Sequence, residues 1–506
     1  MVTPFRRVVR VWCEMRSAAG ACGRRFVWLA AVGAALLVPD AVQSAALTNV
    51  GPRLPVSIGP RPSPTIGTVG PRLDPHFHGI GGGYIDSGGS TVSPSGGTAA
   101  GASSGGPGRK KPHQAERRTN SGVPPSGERR YVPDEVVFEL KGNPSNRQIT
   151  ALFTRFHLAQ LDARRIPLVN STFYRARILD GSSIPAKIRA LEANAAIRTA
   201  QPNYLFTLIQ ASGSAPAAPV AATAADPAQY AIAKLRLDQA HTLAHGDRVL
   251  VAVVDSGIDT SHPALTGIVE RSFDALNAKD GPHTHGTAIA GIIAGHDRLD
   301  GAAPGVRILA ARAFSATQGS TVSIMTSIDW AIAQGARIIN MSFAGPSDPA
   351  LGRVLAAAHQ KRAILVAASG NAGPKSPPLW PAADPHVIAV TATDYDDRLF
   401  AMANRGSHVA IAAPGVDILV ANPGTGYRME SGTSFAAAFV SGVAALLIER
   451  KDDLSPDAVK KALLATAHDL GPKGRDDQFG AGLMDAFAAV NAVAKPADAA
   501  LQVPAH

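Results

Sequence analysis

The sequence predicts an α/β protein: a parallel sheet with helices on both faces, preceded by a small α+β unit and a disordered Gly/Pro-rich segment. Three observations carry this expectation. From Asp226 onward, short apolar runs alternate with amphipathic helical stretches, the pattern of a sheet covered on both sides. Residues 131–209 alternate strand-like and helix-like periods within a stretch of about 80 residues. Residues 47–130 are dominated by Gly, Pro and Ser, too poor in apolar side chains to offset chain entropy.

Residues 1–46 read as an export signal. Arginines up to Arg24 and Arg25 precede the apolar run Phe26–Val38, and small residues follow at Ser44, Ala45 and Ala46. The run falls short of the roughly 20 apolar residues that span a bilayer, so no stable membrane span is expected. Both cysteines, Cys13 and Cys22, precede it. A chain cleaved there would have no disulfide, no thiol chemistry and no cysteine-held metal.

Residues 47–130 read as disordered. Val-Gly-Pro-Arg-Leu begins at Val50 and again at Val69, with Ile-Gly-Pro-Arg from Ile58, and a basic patch includes Arg109, Lys110, Lys111, Arg117 and Arg118. A tether or a passive spacer fits this composition. The net charge of +10 arises here: residues 1–130 hold 16 Lys/Arg against 6 Asp/Glu, and the remainder holds 33 of each. A neutral folded part gives no electrostatic case for nucleic-acid binding.

In the α+β unit of residues 131–209, strands are expected at Val136–Leu140, Thr172–Ile178 and Tyr204–Leu208, with helices at Ser145–Phe156 and Ile184–Ala195. Residues 210–226 form an Ala/Pro-rich linker. Residues 227–495 form the main domain, and residues 496–506 a tail. Its buried strands are expected at Val249–Val254, Ile308–Ala311, Ile338–Met341 and Ile364–Ala368. Helices are expected at His285–Ala294, Val322–Gln334, Pro349–Gln360 and Ser434–Arg450.

Three segments carry chemistry. Val-Val-Asp-Ser-Gly supplies Asp255, His-Gly-Thr supplies His285, and Gly-Thr-Ser supplies Ser434. A serine hydroxyl is a weak nucleophile at neutral pH. It needs an imidazole to take its proton and a carboxylate to hold that imidazole in one tautomer. Asp255 directly follows an expected strand, where such sheets place their sites. Ser434 opens an Ala-rich helix, whose positive end favours a developing oxyanion. His283 lacks the Gly-Thr context and reads as a solvated loop residue, and Asp259 as a turn or capping residue.

The order Asp, His, Ser with these flanking residues resembles the subtilisin-like serine proteases, or subtilases. The resemblance covers about half of the chain. It implies that Ser434 is the nucleophile, His285 the general base and Asp255 its orienting partner. It implies that Asn371, in Ala368-Ser369-Gly370-Asn371, is the oxyanion-hole donor. Ser342, Phe343, Ala344 and Gly345 resemble the segment that pairs with an extended peptide, and Ala368, Ser369 and Gly370 lie beside it. Leu379 falls where subtilisins carry a small residue lining the pocket for the side chain before the scissile bond. A shallower pocket for small or medium apolar side chains follows.

The same resemblance implies that residues 131–209 are an intramolecular-chaperone propeptide, similar to others in Gln201-Pro202-Asn203-Tyr204, with a processing site within residues 210–226. An independent binding module is the alternative for this unit. This chain departs from the family at Ala288, Ala344 and Ala438. The stretch Gly291–Pro304 is shorter than the family's calcium loop, and Asp297 and Asp300 are a poor set for an ion taking six to eight oxygens. No metal site and no cofactor are expected. The expected partners are polypeptide substrates and the chain's own propeptide, in a monomer that is secreted or periplasmic. The alternative is a catalytically silent envelope scaffold or binding protein. A non-peptide hydrolase fits less well, since Ala436 stands where a Gly-x-Ser-x-Gly elbow needs its second glycine.

Overall fold

The computed structural model describes residues 121–209, 229–278 and 280–493. The signal (1–46), the whole linker (210–226) and the tail (496–506) fall outside these residues, as does the Gly/Pro-rich segment up to residue 120. Its last ten residues are described, and there the expected disorder is corrected. The Gly122 N–H donates to Glu192 at 2.7 Å, and the Leu205 N–H donates to the Arg130 carbonyl at 2.9 Å.

The N-terminal unit runs β1 (Tyr131–Leu140), α1 (Asn146–Arg155), β2 (Leu158–Ile166), β3 (Ser171–Ile178), α2 (Ile184–Glu192) and β4 (Ile197–Leu208). Ser145 starts α1 with a capping box completed by Gln148. Strand β2 is additional to the sequence reading. It lies at the sheet edge with only Leu158 and Ile166 buried, so it shows no alternation to detect. One sheet face carries Val136, Phe138, Tyr174 and Ala176 into the unit's own core, under α1 and α2. The other face presents Val137, Phe173, Tyr204 and Phe206 to the core of the main domain.

The main domain begins with two short helices, α3 (Tyr230–Lys234) and α4 (Leu237–His241). There follow β5 (Leu250–Asp255), β6 (Val269–Asp274), α5 (Thr284–Ala294), β7 (Arg307–Arg312), β8 (Phe314–Ser315), β9 (Gln318–Ser320) and α6 (Thr321–Ala333). Next come β10 (Ile338–Met341), β11 (Phe343–Ala344), α7 (Pro349–Gln360), β12 (Ile364–Ala368), β13 (Val387–Thr393) and β14 (Val409–Pro414). A hairpin, β15 (Ile418–Asn422) and β16 (Gly426–Glu430), precedes α8 (Thr433–Arg450), α9 (Pro456–Ala465) and α10 (Ala486–Ala492).

Seven strands pair in the order β14-β13-β12-β10-β5-β7-β6, every pair parallel. The sequence reading names only four of them. β6 is an edge strand of mostly part-exposed residues, and β13 and β14 are apolar runs that periodicity cannot separate from buried helix. Side chains alternate across the sheet. Val251, Val253, Ile364 and Val366 face α5 and α8, while Ala252, Val254, Leu365 and Ala367 face α6 and α7. α8, apolar and long enough to cross a membrane, is almost wholly buried as the central core helix.

A second seven-stranded sheet runs through both units. Its order is β2-β3-β1-β4-β9-β8, with β11 also pairing β4. Strand β4 is therefore the seam: it is the last strand of the N-terminal unit and lies between two short strands of the main domain.

Candidate active site

Strand β5 ends on Asp255, α5 opens two residues before Gly286, and α8 opens with Thr433-Ser434. These ends bring the expected residues to one buried place. Asp255, His285 and Ser434 are 0%, 2% and 0% exposed, so water does not compete for their hydrogen bonds.

His285 Nδ1 lies 2.9 Å from both carboxylate oxygens of Asp255. An ionised carboxylate only accepts, so Nδ1 carries the proton and Nε2 keeps its lone pair. Asp255 is itself held by the Ser256 N–H at 2.7 Å and the Ser256 hydroxyl at 3.0 Å, both on Oδ1. His285 Nε2 is buried and has no hydrogen-bond partner in the structure. The Phe435 ring, next in sequence to Ser434, lies 6.2 Å from the His285 ring.

His283 is not the solvated residue that the sequence suggests. It is the N-cap of α5, accepting the His285 N–H on Nδ1 at 3.2 Å, and burial pushes its imidazole below the usual value. Asp259 serves a turn, as expected, accepting from Ser261 and from the Gly424 N–H.

Asn371 follows β12 in the loop Ser369–Gly373. Its Oδ1 accepts the Thr433 N–H at 3.1 Å and the Thr433 hydroxyl at 2.9 Å. The amide nitrogen therefore faces the other way, buried and without a partner. Thr433 is thus a site residue that motif reading passes over. Gly370 lets this loop turn: its φ is +115°, and a Cβ there would fall 2.3 Å from the Asn404 amide nitrogen.

The Ser434 hydroxyl donates to the carbonyl oxygen of Ile209 at 2.8 Å. Ile209 arrives at the end of β4. Its N–H donates to the Ser342 carbonyl at 3.2 Å, and the Leu208 N–H donates to the Thr317 carbonyl at 2.9 Å. Upstream, Leu208 and Thr207 pair with Phe343 and Ala344 of β11, and Leu205, Phe206 and Thr207 pair with β9. The chain's own residues 205–209 thus lie as an added strand between two rims. Sequence reading identifies only the β11 rim. Strand addition reads backbone groups, so β9 (Gln-Gly-Ser) leaves no side-chain signature.

Phe206 packs edge-on against Phe343 at 5.9 Å, and Phe343 lies 5.0 Å from Phe314. Gly345 makes room for it, since a Cβ there would fall 2.3 Å from the Phe206 ring. Leu379 is 8% exposed, and the next residue, Trp380, exchanges two backbone hydrogen bonds with Gly345. Ala368, which ends β12, and Ser369, which opens the loop, are buried. The shortened Gly291–Pro304 stretch is tied by Gln229, whose Oε1 accepts the Asp300 N–H at 2.8 Å. Among the described residues no group of three or more His, Cys, Asp or Glu is arranged to hold a metal ion.

Residues 246–482 match the model of the subtilase family, peptidase S8. The thermophilic serine proteinase of Bacillus sp. (strain AK1) is 31% identical over 361 residues, covering 69% of this chain and 86% of that protein. The chain belongs to the subtilase family. Thermitase of Thermoactinomyces vulgaris is 33% identical over 271 residues, 52% of this chain and 95% of thermitase. Among solved structures, fervidolysin from Fervidobacterium pennivorans, a keratinolytic enzyme related to subtilisin, superposes with a TM-score of 0.62 at 26% identity. That match covers 73% of this chain and 62% of fervidolysin. This subtilase is accordingly a serine-type endopeptidase acting on polypeptides, with the subtilisin-like α/β fold. Nothing in these relatives supports a silent scaffold.

Proposed function

We propose that this chain is the precursor of an exported subtilase that cleaves itself between Ile209 and Gln210. Residues 131–209 are then its propeptide, and Asp255, His285, Asn371 and Ser434 are its catalytic residues. The observation that carries the reading is the seat of Ile209: its carbonyl oxygen lies 2.8 Å from Ser434 Oγ, while its N–H is held by Ser342. A peptide placed this way brings the Ile209 carbonyl group against the nucleophile, and a turn of that oxygen toward the Asn371 amide would expose its carbon to Oγ.

In the reaction, Ser434 Oγ bonds to that carbon as its proton passes to His285 Nε2, the buried nitrogen that has no other partner. Asp255 holds the imidazolium that forms. The oxyanion is met by the Asn371 amide and the Ser434 N–H in the first turn of α8, where backbone donors lack helical acceptors. The carbon–nitrogen bond to Gln210 then breaks, and His285 gives its proton to the leaving amine. Water, deprotonated by His285, hydrolyses the Ile209 ester and restores Ser434.

The match to the Bacillus sp. (strain AK1) proteinase extends over 361 residues, more than the peptidase model alone covers, which agrees with a precursor layout. The signal-like residues 1–46 support export and a secreted or periplasmic enzyme. The test is the intact mass and new N-terminus of secreted wild type against Ser434→Ala. Wild type should begin at Gln210, or at a residue trimmed back from it, and the variant should remain uncut. Identical processing of both would overturn the self-cleavage.

A further inference from the structure

We propose that Ser441 and Asn340, which touch neither the seated peptide nor His285, are positioning residues for peptide cleavage, acting through Ser342. The proposal rests on Ser434 being the nucleophile. Asn340 sits on the central strand β10 between Ile339 and Met341, and Ser441 lies two helical turns beyond Ser434 on α8. Asn340, Ser342, Ser434 and Ser441 are all 0% exposed. A buried amide inside an apolar sheet is costly unless every polar group on it is engaged.

Here the amide forms a bridge. Asn340 Oδ1 lies 2.9 Å from the Ser441 hydroxyl, and Asn340 Nδ2 lies 3.0 Å from the Ser342 hydroxyl. Ser441 Oγ is also 2.9 Å from the Ala437 carbonyl, so it can take either acceptor. With the amide in either orientation, its side chain links Ser441 to Ser342. Ser342 is where the reacting groups meet. Its carbonyl accepts the Ile209 N–H at 3.2 Å and lies 3.4 Å from Ser434 Oγ, and its hydroxyl lies 3.3 Å from the Ser434 carbonyl. The bridge starts on α8, reaches β10 and returns to the first turn of α8. It sets the depth of the nucleophile relative to the peptide bond that Ser342 holds.

Ser342 holds the peptide through its backbone carbonyl, whereas the bridge ends on its hydroxyl, so loss of the bridge should move turnover far more than affinity. The full chain is expressed and matured, and competent sites are counted with a fluorophosphonate that labels Ser434. A fluorogenic peptide ending in Phe-Thr-Leu-Ile before the scissile bond is then hydrolysed. Ser441→Ala is a mild change in an Ala-rich helix. It should lower kcat per labelled site about tenfold, the scale of a sub-ångström misplacement, and leave KM within about twofold. Ser441→Thr keeps the hydroxyl and should recover most of the loss. The double variant with Ser342→Ala should be no slower than Ser342→Ala alone. Unchanged kcat in Ser441→Ala, no recovery in Ser441→Thr, or full additivity with Ser342→Ala would each overturn the proposal. A wild type that takes no label at Ser434 would overturn the nucleophile assignment, and this proposal with it.

Discussion

Gln201 of the N-terminal unit caps a helix that belongs to the peptidase domain. Its Oε1 accepts the Ala350 N–H at 2.9 Å, and its Nε2 donates to Asp348 Oδ1 at 2.6 Å. Asp348 is the N-cap of α7, and burial pushes its carboxyl above the usual range, opposed by donors from Thr321 and Gln201. Removing Gln201 leaves a buried carboxyl short of a donor, a loss of about 1–3 kcal/mol. Gln201→Ala, made in the uncut Ser434→Ala chain, should therefore lower its melting temperature by several degrees. A melting temperature equal to that of the parent would show that the cap is idle.

Acid should loosen the N-terminal unit. Glu139 of β1 is buried and paired with Arg353 of α7, with further hydrogen bonds from Ser171 and Thr199. Burial raises its pKa, but the Arg353 and Ser171 hydrogen bonds and the Arg353 charge outweigh it and hold the carboxyl below its ordinary 4.5. A carboxylate depressed in the complex stabilises it fully above the free value, and that contribution is lost as pH falls through the depressed one. Ser171 and Thr199 stay with Glu139 on release, and only Arg353 is lost. Release of the cleaved unit, followed by gel filtration, should therefore be flat near pH 6 and rise as the carboxylate protonates in acid. Glu139→Gln should release more readily at pH 6, with a weaker acid dependence. Wild type and Glu139→Gln with superimposable pH profiles would exclude this pair as the acid-sensitive contact.

Asn371→Ala should reduce kcat by about a hundred- to a thousandfold with little change in KM, since its amide meets charge that exists only in the transition state. That magnitude was obtained on subtilisin itself and is carried here by family. Fluorophosphonate labelling should slow in parallel. A loss confined to KM would instead make Asn371 a ground-state binding group.

Leu379 should limit the side chain accepted before the scissile bond. Ile209 is the residue whose carbonyl lies on Ser434, and Leu379 is a buried apolar group next to Trp380, which pairs with Gly345 just after β11. In a peptide library, wild type should favour Ile, Val or Leu over Phe and Tyr. Leu379→Gly should shift kcat/KM toward Phe by tenfold or more, within the range that pocket volume confers. A wild-type profile dominated by Phe or Tyr would end this assignment.

Much of this protein was legible in one dimension because its chemistry and core are locally encoded. Asp255, His285 and Ser434 each sit inside a short motif. The strands Ile338–Met341 and Ile364–Ala368 and the helix Pro349–Gln360 have the expected bounds. β2 and β6 escaped because edge strands bury too few residues to alternate, and β13 and β14 because an apolar run has no period of its own. His283 was misjudged because a capping role depends on the backbone N–H it meets, here that of His285.

By itself the sequence determined the family and the α/β class and pointed to Asp255, His285 and Ser434 as candidates, since each rests on side-chain type and short spacing. Only the tertiary structure decided that Thr433 turns the Asn371 amide, that Asn340 links Ser441 to Ser342, and that Ile209 is the residue lying on Ser434. Those relationships join positions 62 to 225 residues apart in the chain. Two of them use a backbone group that every residue carries, the Thr433 N–H and the Ile209 carbonyl, and the rest join side chains that no short spacing links.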